Sequence, residues 1–186
     1  KFPVPPGYVV TTVAYHEFVK ANNIGQKIIA LAKSINYADV SSVEKVSAEI
    51  RKLFISSPVP DSIAKEIKDA YARLKQLGSD RVAVRSSATA EDLAEASFAG
   101  QQDTYLNIRG DEGLLNAVRS CWGSLWTARA VSYRAKQGIS MDGLGLAVVV
   151  QQMVIADAAG VMFSVNPVTG ARKEMIINAA WGLGEA

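Results

Sequence analysis

The amino-acid sequence predicts an α+β fold, in which a helix-rich α/β N-terminal subdomain is joined at about residue 150 to the beginning of a β-rich subdomain. Two observations support this fold class. Apolar residues recur at helical spacing through much of the first 137 residues, with short β-like runs between the helices. After residue 145 the apolar runs become short and are separated by turn residues such as Asn166 and Pro167, which is typical of strands. We therefore predict two subdomains, residues 1–149 and residues 150–186.

The first part of the chain is predicted to form one strand and four helices. An apolar run at residues 8–10 indicates the strand, and Thr11 or Thr12 is suited to cap the helix that follows. Ser41, with Glu44 three residues later, has the form of a capping box that opens the third helix. The apolar stripe of the fourth helix ends at a glycine, which favours a helix stop. The four helices are predicted over residues 14–20, 24–33, 41–55 and 61–77.

The rest of the chain is predicted to contain five further strands and one long helical region. Asp111 is suited to cap the helical region, which continues to Gln137 with a break expected near Gly123. Turn residues separate the apolar runs that follow it. The strands are predicted over residues 81–85, 103–108, 146–150, 160–165 and 174–178.

Composition and charge narrow the class of protein. With 49% hydrophobic and 20% charged residues, the 186-residue chain is typical of a folded globular domain. Its 20 basic residues are spread among 18 acidic ones without a basic run, giving a net charge of +2. We therefore expect no nucleic-acid partner.

Cysteine, histidine and hydropathy exclude several other kinds of site. The single cysteine, Cys121, rules out an internal disulfide and a CxxC metal site, and the single histidine, His16, forms no recognised metal-ligand spacing with it. The most apolar stretch, residues 144–165, is interrupted by Gln151 and Asp157 and is a poor membrane span. We expect a cytoplasmic protein with no membrane partner.

Both ends of the sequence suggest a piece of a longer protein. The chain begins within the turn-rich run KFPVPPG and stops in the glycine-punctuated run WGLGEA, which is typical of the start of a loop. We therefore expect a longer parent protein.

The segment VRSSATAEDLAEASFAGQQDTY, residues 84–105, carries the clearest functional signal. Arg85 ends an apolar strand, and small or hydroxylated residues follow it. A guanidinium forms charge-assisted, bidentate bonds to phosphate oxygens, and small residues let backbone N–H groups approach the same anion. The pattern predicts a polyphosphate site. The alternative is an arginine in a surface salt bridge before an ordinary loop, since no Walker A or GxGxxG pattern is present.

A second candidate site is the strand VVVQQMV, residues 148–154. Its two adjacent amides, Gln151 and Gln152, must point to opposite faces of a strand. Apolar side chains can cover the faces of a flat heterocycle while an amide reads its edge, and a methionine adapts to such a ligand. The alternative is an edge strand whose glutamines lie partly in solvent.

Several ordered motifs resemble one family. The segments VRSSATAEDL with EASFAGQQDTYLN, then CWGSLWTARAVSYR, VVVQQMV, GVMFSVNPVTG and INAAWGLGEA, resemble the N-terminal nucleotide-binding domain of the phosphoenolpyruvate synthase (pyruvate, water dikinase) family. The same domain occurs in rifampin phosphotransferase and, more distantly, in pyruvate phosphate dikinase. The resemblance covers essentially the whole chain and implies an ATP-grasp fold, with a first subdomain, a hinge and the beginning of a second.

The resemblance also implies a reaction. In this family the domain cleaves ATP to AMP and phosphate, and a phosphoryl group passes to a histidine on a separate domain and then to the substrate. It implies ATP and Mg²⁺ as cofactors, with the phosphohistidine and substrate domains of the same protein as partners. The acceptor stays open between pyruvate, which would give phosphoenolpyruvate, and a rifamycin hydroxyl. A non-catalytic nucleotide-binding module is the alternative from another class.

Three matching positions are implied for the phosphate side of the site. Arg85, in VRSS, resembles the arginine that clamps the ATP phosphates and stabilises charge during transfer, which makes it the catalytic candidate. Gly100, in FAGQQ, resembles the loop glycine whose backbone approaches the phosphates. Thr104, in DTYLN, matches a nucleotide-contacting threonine.

Three further positions are implied for the base side. Gln151 matches the hinge glutamine that reads adenine, with Met153 and Val154 lining the base pocket. The resemblance implies that the family's metal-binding residues lie downstream of this chain, so no metal ligand is assigned to it. It also implies that the family's ATP-binding lysine lies upstream. Asn166 stands where many relatives carry aspartate, which disfavours a cation there.

Other conspicuous side chains are interpreted as structural. Arg119, Arg129 and Arg134 fall in the long helical region, where most arginines are solvated or paired on a helix face. Trp122 and Trp126, four residues apart, are most simply core residues. Cys121 is expected to be a small buried hydrophobe.

Overall fold

The chain folds as two compact units, Lys1–Met153 and Val154–Ala186. The structure is a computed structural model, and it describes residues 3–78, 80–88, 92–93, 96–97, 103–141 and 143–183. The first unit combines helices with a four-stranded sheet, and the second contains a pair of strands, so the predicted mixed α+β class is confirmed. The interpretation of residues 1–149 and 150–186 as subdomains of one fold stays a prediction.

The described ranges contain six helices and eight strands. The helices are α1 (Thr12–Ala21), α2 (Gly25–Lys33), α3 (Val40–Ser56), α4 (Asp61–Lys75), α5 (Asp111–Ser124) and α6 (Ala128–Lys136). The strands are β1 (Gly7–Val10), β2 (Val82–Ala88), β3 (Asp92–Leu93), β4 (Ala96–Ser97), β5 (Thr104–Ile108), β6 (Leu146–Gln152), β7 (Ala158–Phe163) and β8 (Ile176–Trp181). None of these helices is long and apolar enough to cross a membrane.

The sheet of the first unit has the strand order β1-β6-β2-β5, and all its neighbouring strands are antiparallel. On the inner strands, Val150 of β6 lies opposite Val84 of β2, and both are fully buried. Successive side chains of a strand point to opposite faces. One face of the sheet is therefore apolar and packs against helices, chiefly α5.

The core between the helices is aromatic. The ring centroids of Phe18 and Trp122 are 4.8 Å apart, and those of Tyr15 and Phe54 are 5.8 Å apart. The indole N–H of Trp126 donates a hydrogen bond to the Tyr15 hydroxyl at 3.2 Å, so the polar edge of this buried ring is satisfied. The predicted core roles of Trp122 and Trp126 are confirmed.

The capping residues of α3 and α5 differ from the sequence prediction. The capping box of Ser41 and Glu44 is wrong, because α3 begins one residue earlier and the side chain of Asp39 accepts a hydrogen bond from the Ser41 amide. Asp111 is the first residue of α5, and the cap position belongs to Gly110, whose φ of 71° suits a glycine. The break in the long helical region is confirmed at the junction of α5 and α6.

Two helix arginines are more than solvated surface groups. Arg134 is fully buried, donates to the Leu125 carbonyl at 2.6 Å and lies 5.4 Å from the centroid of the Trp126 ring. Its burial lowers its pKa to about 10. Arg119 donates to the Ile55 carbonyl at 2.8 Å and so satisfies the end of α3. The surface interpretation of these two residues is wrong.

The second unit is an antiparallel pair, β7 with β8, joined through a turn that Asn166 organises. The side-chain oxygen of Asn166 accepts hydrogen bonds from the amides of Val168 at 2.9 Å and Thr169 at 3.1 Å. Its Nδ2 donates to the Glu174 carboxylate at 2.7 Å. Gly170 supplies a φ of 73°. The amide at position 166 thus has a structural role in closing the turn.

Gly7 offers a test of the pairing between β1 and β6. A Cβ atom at Gly7 would lie 2.6 Å from the Val150 carbonyl oxygen, so Gly7→Ala requires β1 to move away. We expect the free energy of unfolding to fall by about 1–3 kcal/mol. The control is Gly113→Ala in α5, where the new methyl would meet Ile108 at 3.7 Å and alanine stabilises a helix by about 0.5–1 kcal/mol. Urea titrations measure both variants, and a fully stable Gly7→Ala would contradict the close approach.

Cys121 predicts a specific alkaline loss of stability. Burial, with a smaller contribution from the charge of Asp103, raises the pKa of its thiol from 9.0 to about 12. The unfolded chain loses this proton near pH 9 and the folded chain keeps it. The stabilisation is therefore complete below pH 9 and is lost as the pH rises to 12.

Urea denaturation of the parent and of Cys121→Ala at pH 8 and pH 10 measures this effect. Between these two values the parent should lose about 1 kcal/mol more than the variant. Equal losses in the two proteins would show that the thiol is not protected by burial.

Candidate functional site

The sheet of the first unit has a second face whose side chains are exposed or half-buried. Residues paired across antiparallel strands lie on the same face, so the pairs Arg85–Thr104, Arg85–Val149 and Ala83–Gln151 share this side. We call this surface the open face. It is formed by Gly7, Val9, Ala83, Arg85, Ser87, Thr104, Ala147, Val149 and Gln151.

Arg85 and Thr104 lie directly opposite each other on β2 and β5, and both are exposed. The preceding residue, Val84, is fully buried, so the alternation of the strand places Arg85 outward. Within the described residues no carboxylate forms an ion pair with Arg85. A guanidinium beside a hydroxyl can bind phosphate oxygens, the first through charge-assisted bonds and the second through a neutral one.

Gln151 occupies the open face of β6, where its amide is half-buried and oriented by the N-terminal segment. Its Nε2 donates to the Pro5 carbonyl at 3.1 Å, and the next backbone amide, that of Gln152, donates to the Pro6 carbonyl at 2.8 Å. The bond to Pro5 turns the Nε2 end of the Gln151 amide toward the N-terminal segment and leaves Oε1 free to accept a hydrogen bond. Gly7 pairs with Gln151 at this point, where only a glycine fits.

Small and aliphatic side chains surround the polar residues of the open face. Val9, which is 55% exposed, pairs with Val149, and Ala83 pairs with Gln151. Arg85 and Gln151 are diagonal neighbours on adjacent strands, which places their Cα atoms about 7–8 Å apart. The open face thus combines the aliphatic side chains of Val9 and Val149 with the amide of Gln151. Arg85, further along β2, adds a cation beside the Thr104 hydroxyl.

The structure brings three of the six predicted site residues together. The other three do not lie on the open face or are outside the described residues. Arg85, Thr104 and Gln151 share the open face. Met153 follows β6, is buried, and its backbone amide donates to the Arg81 carbonyl at 2.9 Å. Val154 is 56% exposed and belongs to the second unit. Gly100 lies outside the described residues, so its predicted role stays a prediction.

Arg85 and Thr104 of the candidate site are exposed on the surface of the sheet. Four grooves of 440–570 Å³ are lined mainly by residues of the helices, and Arg85, Thr104 and Gln151 line none of them. No group of three potential metal-ligating side chains lies together among the described residues, so we assign no metal ligand to them. We therefore identify the candidate site from its donors and acceptors.

Sequence reasoning missed three contributors to the site. Pro5 holds the Gln151 amide through its carbonyl, a bond that no side-chain pattern reveals. Gly7 admits the close approach of β1 to β6, and a glycine just before an apolar strand was a usable signal for that. Asp103, directly before Thr104, accepts two side-chain hydrogen bonds from Arg51 and Tyr105.

Comparison with known proteins agrees with the sequence resemblance. The family described as "Pyruvate phosphate dikinase, AMP/ATP-binding domain" matches residues 1–186. The chain is 47% identical to the probable phosphoenolpyruvate synthase of Staphylothermus marinus over 99% of its length, which is 23% of that protein. It is 48% identical to the probable phosphoenolpyruvate synthase of Methanothermobacter thermautotrophicus (99% of this chain, 27% of that protein). It is also 48% identical to the phosphoenolpyruvate synthase of Aeropyrum pernix (98% of this chain, 23% of that protein).

These relatives are much longer than the chain, which spans about a quarter of their length. The family match covers every residue, and the similarity to each relative extends over nearly the whole chain. The chain therefore belongs to the family of the pyruvate phosphate dikinase AMP/ATP-binding domain.

Proposed function

We propose that this chain binds ATP on the open face and is the ATP-binding part of a phosphoenolpyruvate synthase. The observation that carries the proposal is the placement of Arg85, Thr104 and Gln151 on one face of one sheet. These residues come from strands far apart in the sequence. Their diagonal arrangement matches the two ends of a nucleotide, with the base at Gln151 and the phosphates at Arg85 and Thr104.

The base end follows from the chemistry of Gln151. Its Nε2 is engaged by the Pro5 carbonyl, so Oε1 is the atom that faces a ligand as acceptor. Adenine presents an exocyclic amino donor where guanine presents a carbonyl acceptor. The aliphatic neighbours Val9 and Val149 cover the flat face of the ring. We also propose that Met153 and Val154, the two residues that follow β6, contact the base.

The phosphate end follows from charge. The Arg85 guanidinium stabilises negative charge on the phosphates, most strongly when that charge is redistributed during transfer, and Thr104 supplies a hydroxyl next to it. We propose that the Gly100 loop adds backbone N–H donors. Mg²⁺ neutralises nucleotide phosphates when it is bound, and no described residue is assigned as its ligand.

The reaction we propose is that of a dikinase. ATP is cleaved to AMP and phosphate, and one phosphoryl group passes through a histidine on another domain to pyruvate, giving phosphoenolpyruvate, with water as the second phosphoryl acceptor. The support is that the three relatives described above are named as phosphoenolpyruvate synthases and are about four times longer than this chain. We propose an ATP-grasp fold for the nucleotide-binding region and, because the one thiol is buried and free, a cytoplasmic enzyme.

The acceptor is tested in the complete protein that contains this chain. Incubation with MgATP and pyruvate should produce phosphoenolpyruvate, AMP and inorganic phosphate in equal amounts, measured by ³¹P NMR. Rifampin is the competing acceptor. Phosphorylation of rifampin with pyruvate left unchanged would replace the proposed acceptor, and tight MgATP binding without any turnover would favour a nucleotide-binding module.

Arg85→Ala tests the phosphate end. In the complete enzyme we expect kcat/KM to fall by about 10²–10³, because one group that stabilises transition-state charge is lost. In calorimetric titrations ATP affinity should fall more than AMP affinity, since AMP has fewer phosphates to contact the guanidinium. Arg129→Ala removes the same charge from an exposed position on α6 and should change neither value. Unchanged turnover in Arg85→Ala would refute the assigned role.

Gln151→Leu tests the base end. The variant loses the acceptor for the adenine amino group, so the preference for ATP over GTP should fall by about 5- to 100-fold, the range for one hydrogen-bonding group of a base edge. Gln152→Leu is the matched control, because the adjacent amide points to the opposite face of β6. If Gln152→Leu lost selectivity and Gln151→Leu kept it, the assignment of the open face would be wrong.

A further inference from the structure

A cluster of three side chains lies directly behind the phosphate end of the open face. One carboxylate oxygen of Asp103, Oδ2, accepts a hydrogen bond from Nη2 of Arg51 at 3.0 Å and from the hydroxyl of Tyr105, also at 3.0 Å. Arg51 belongs to α3, so this contact ties the start of β5 to the helical layer. Asp103 and Tyr105 are two residues apart and share the helix-facing side of the strand.

The donors of this cluster are held in their donating forms. Burial, followed by the charge of Asp103 and its hydrogen bond, raises the pKa of Tyr105 to about 12. The Arg51 guanidinium supplies the second donor. Asp103 is therefore held by one neutral and one cationic donor across the neutral range.

Asp103 also connects to both members of the Arg85–Thr104 pair. It directly precedes Thr104 in the chain, and its carbonyl accepts a hydrogen bond from the Ser86 hydroxyl at 3.3 Å. Ser86 directly follows Arg85. Asp103 is thus linked to the residue after Arg85 and is itself the residue before Thr104, the two groups that we propose face the phosphates.

We expect this cluster to contribute little to the free energy of unfolding. The Arg51 and Asp103 side chains are 36% and 31% exposed, and partly exposed ion pairs contribute little to folding. Local geometry is more sensitive, because a displacement of about 1 Å of a group that binds a reacting phosphate has a large effect on its interaction.

We propose that Asp103 is a positioning residue for the phosphate end of the site, held by Arg51 and Tyr105 and acting through Arg85 and Thr104. This inference rests on the proposed function, since it assumes that phosphates bind at Arg85. Asp103 itself faces the helices and touches no nucleotide.

A double-mutant cycle in the complete protein that contains this chain tests the proposal, with MgATP affinity measured by calorimetry. Asp103→Asn should weaken MgATP binding by about 3- to 30-fold in the parent, within the range of coupling seen between neighbouring residues. In the Arg85→Ala background the same substitution should change the affinity by less than about twofold. Asp103→Glu, which keeps the charge for Arg51, should recover part of the loss. AMP affinity should change less than ATP affinity.

The controls separate positioning from general damage. Asp80→Asn removes a carboxylate that lies 3.9 Å from an arginine, Arg109, and should leave MgATP affinity unchanged. Arg51→Gln should reproduce the effect of Asp103→Asn, and the double variant should be no weaker than either single one. Thermal unfolding of each variant checks that the folded population is the same.

Three outcomes would overturn the proposal. If Asp103→Asn binds MgATP as the parent does, the cluster does not position the site. If it weakens binding equally with and without Arg85, the effect does not pass through that residue. If the complete protein binds no MgATP while remaining folded, the proposed function fails and this inference fails with it.

Discussion

The pairing of β2 with β6 is the constraint on which the rest of the first unit depends. It runs from Val82 opposite Gln152 to Ala88 opposite Leu146 and forms the centre of the sheet. In this register Val84 and Val150 are buried together, while Arg85 and Gln151 emerge on the other side. A slip of one residue would expose the valines and bury the arginine, so the hydrophobic core and the candidate site are specified by the same register.

Alternate residues of the sheet strands belong to the hydrophobic core on one face and to the candidate site on the other. Behind β2, Cys121 of α5 lies with its sulfur 3.7 Å from the Val84 carbonyl, and the aromatic core packs around the same helix. In front of β2, Arg85 is exposed beside Ala83, Ser87 and Thr104 of the open face. Because the helix side is closely packed, the strands cannot shift easily, and a rigid sheet holds groups for binding more exactly than a loop would.

Sequence patterns predicted the helices and most strands, because each of these has a local signature, such as the helical periodicity of α4. The family resemblance pointed to Arg85, Thr104 and Gln151. The structure places these three on one face, and their roles in binding stay predictions. The patterns could not give the pairing of strands, which is decided by contacts between distant segments. The sequence also could not show which of two nearby side chains caps a helix. Asp39 and Ser41 can both cap α3, and the backbone geometry selects Asp39. The burial of Arg134 depends on Trp126 and Leu125 closing over it, which no surface pattern signals.

The N-terminal segment and the proposed base end of the site are linked through the side-chain amide of Gln151. The bond from Gln151 Nε2 to the Pro5 carbonyl favours the amide orientation in which Oε1 is free to accept a hydrogen bond. Pro5 and Pro6 restrict the backbone of this segment, and the Pro6 carbonyl receives the Gln152 amide. A ligand that binds Oε1 therefore favours the orientation that Pro5 imposes. By the reciprocity of linked equilibria, the same ligand must stabilise the docking of the segment on β6 by an equal amount.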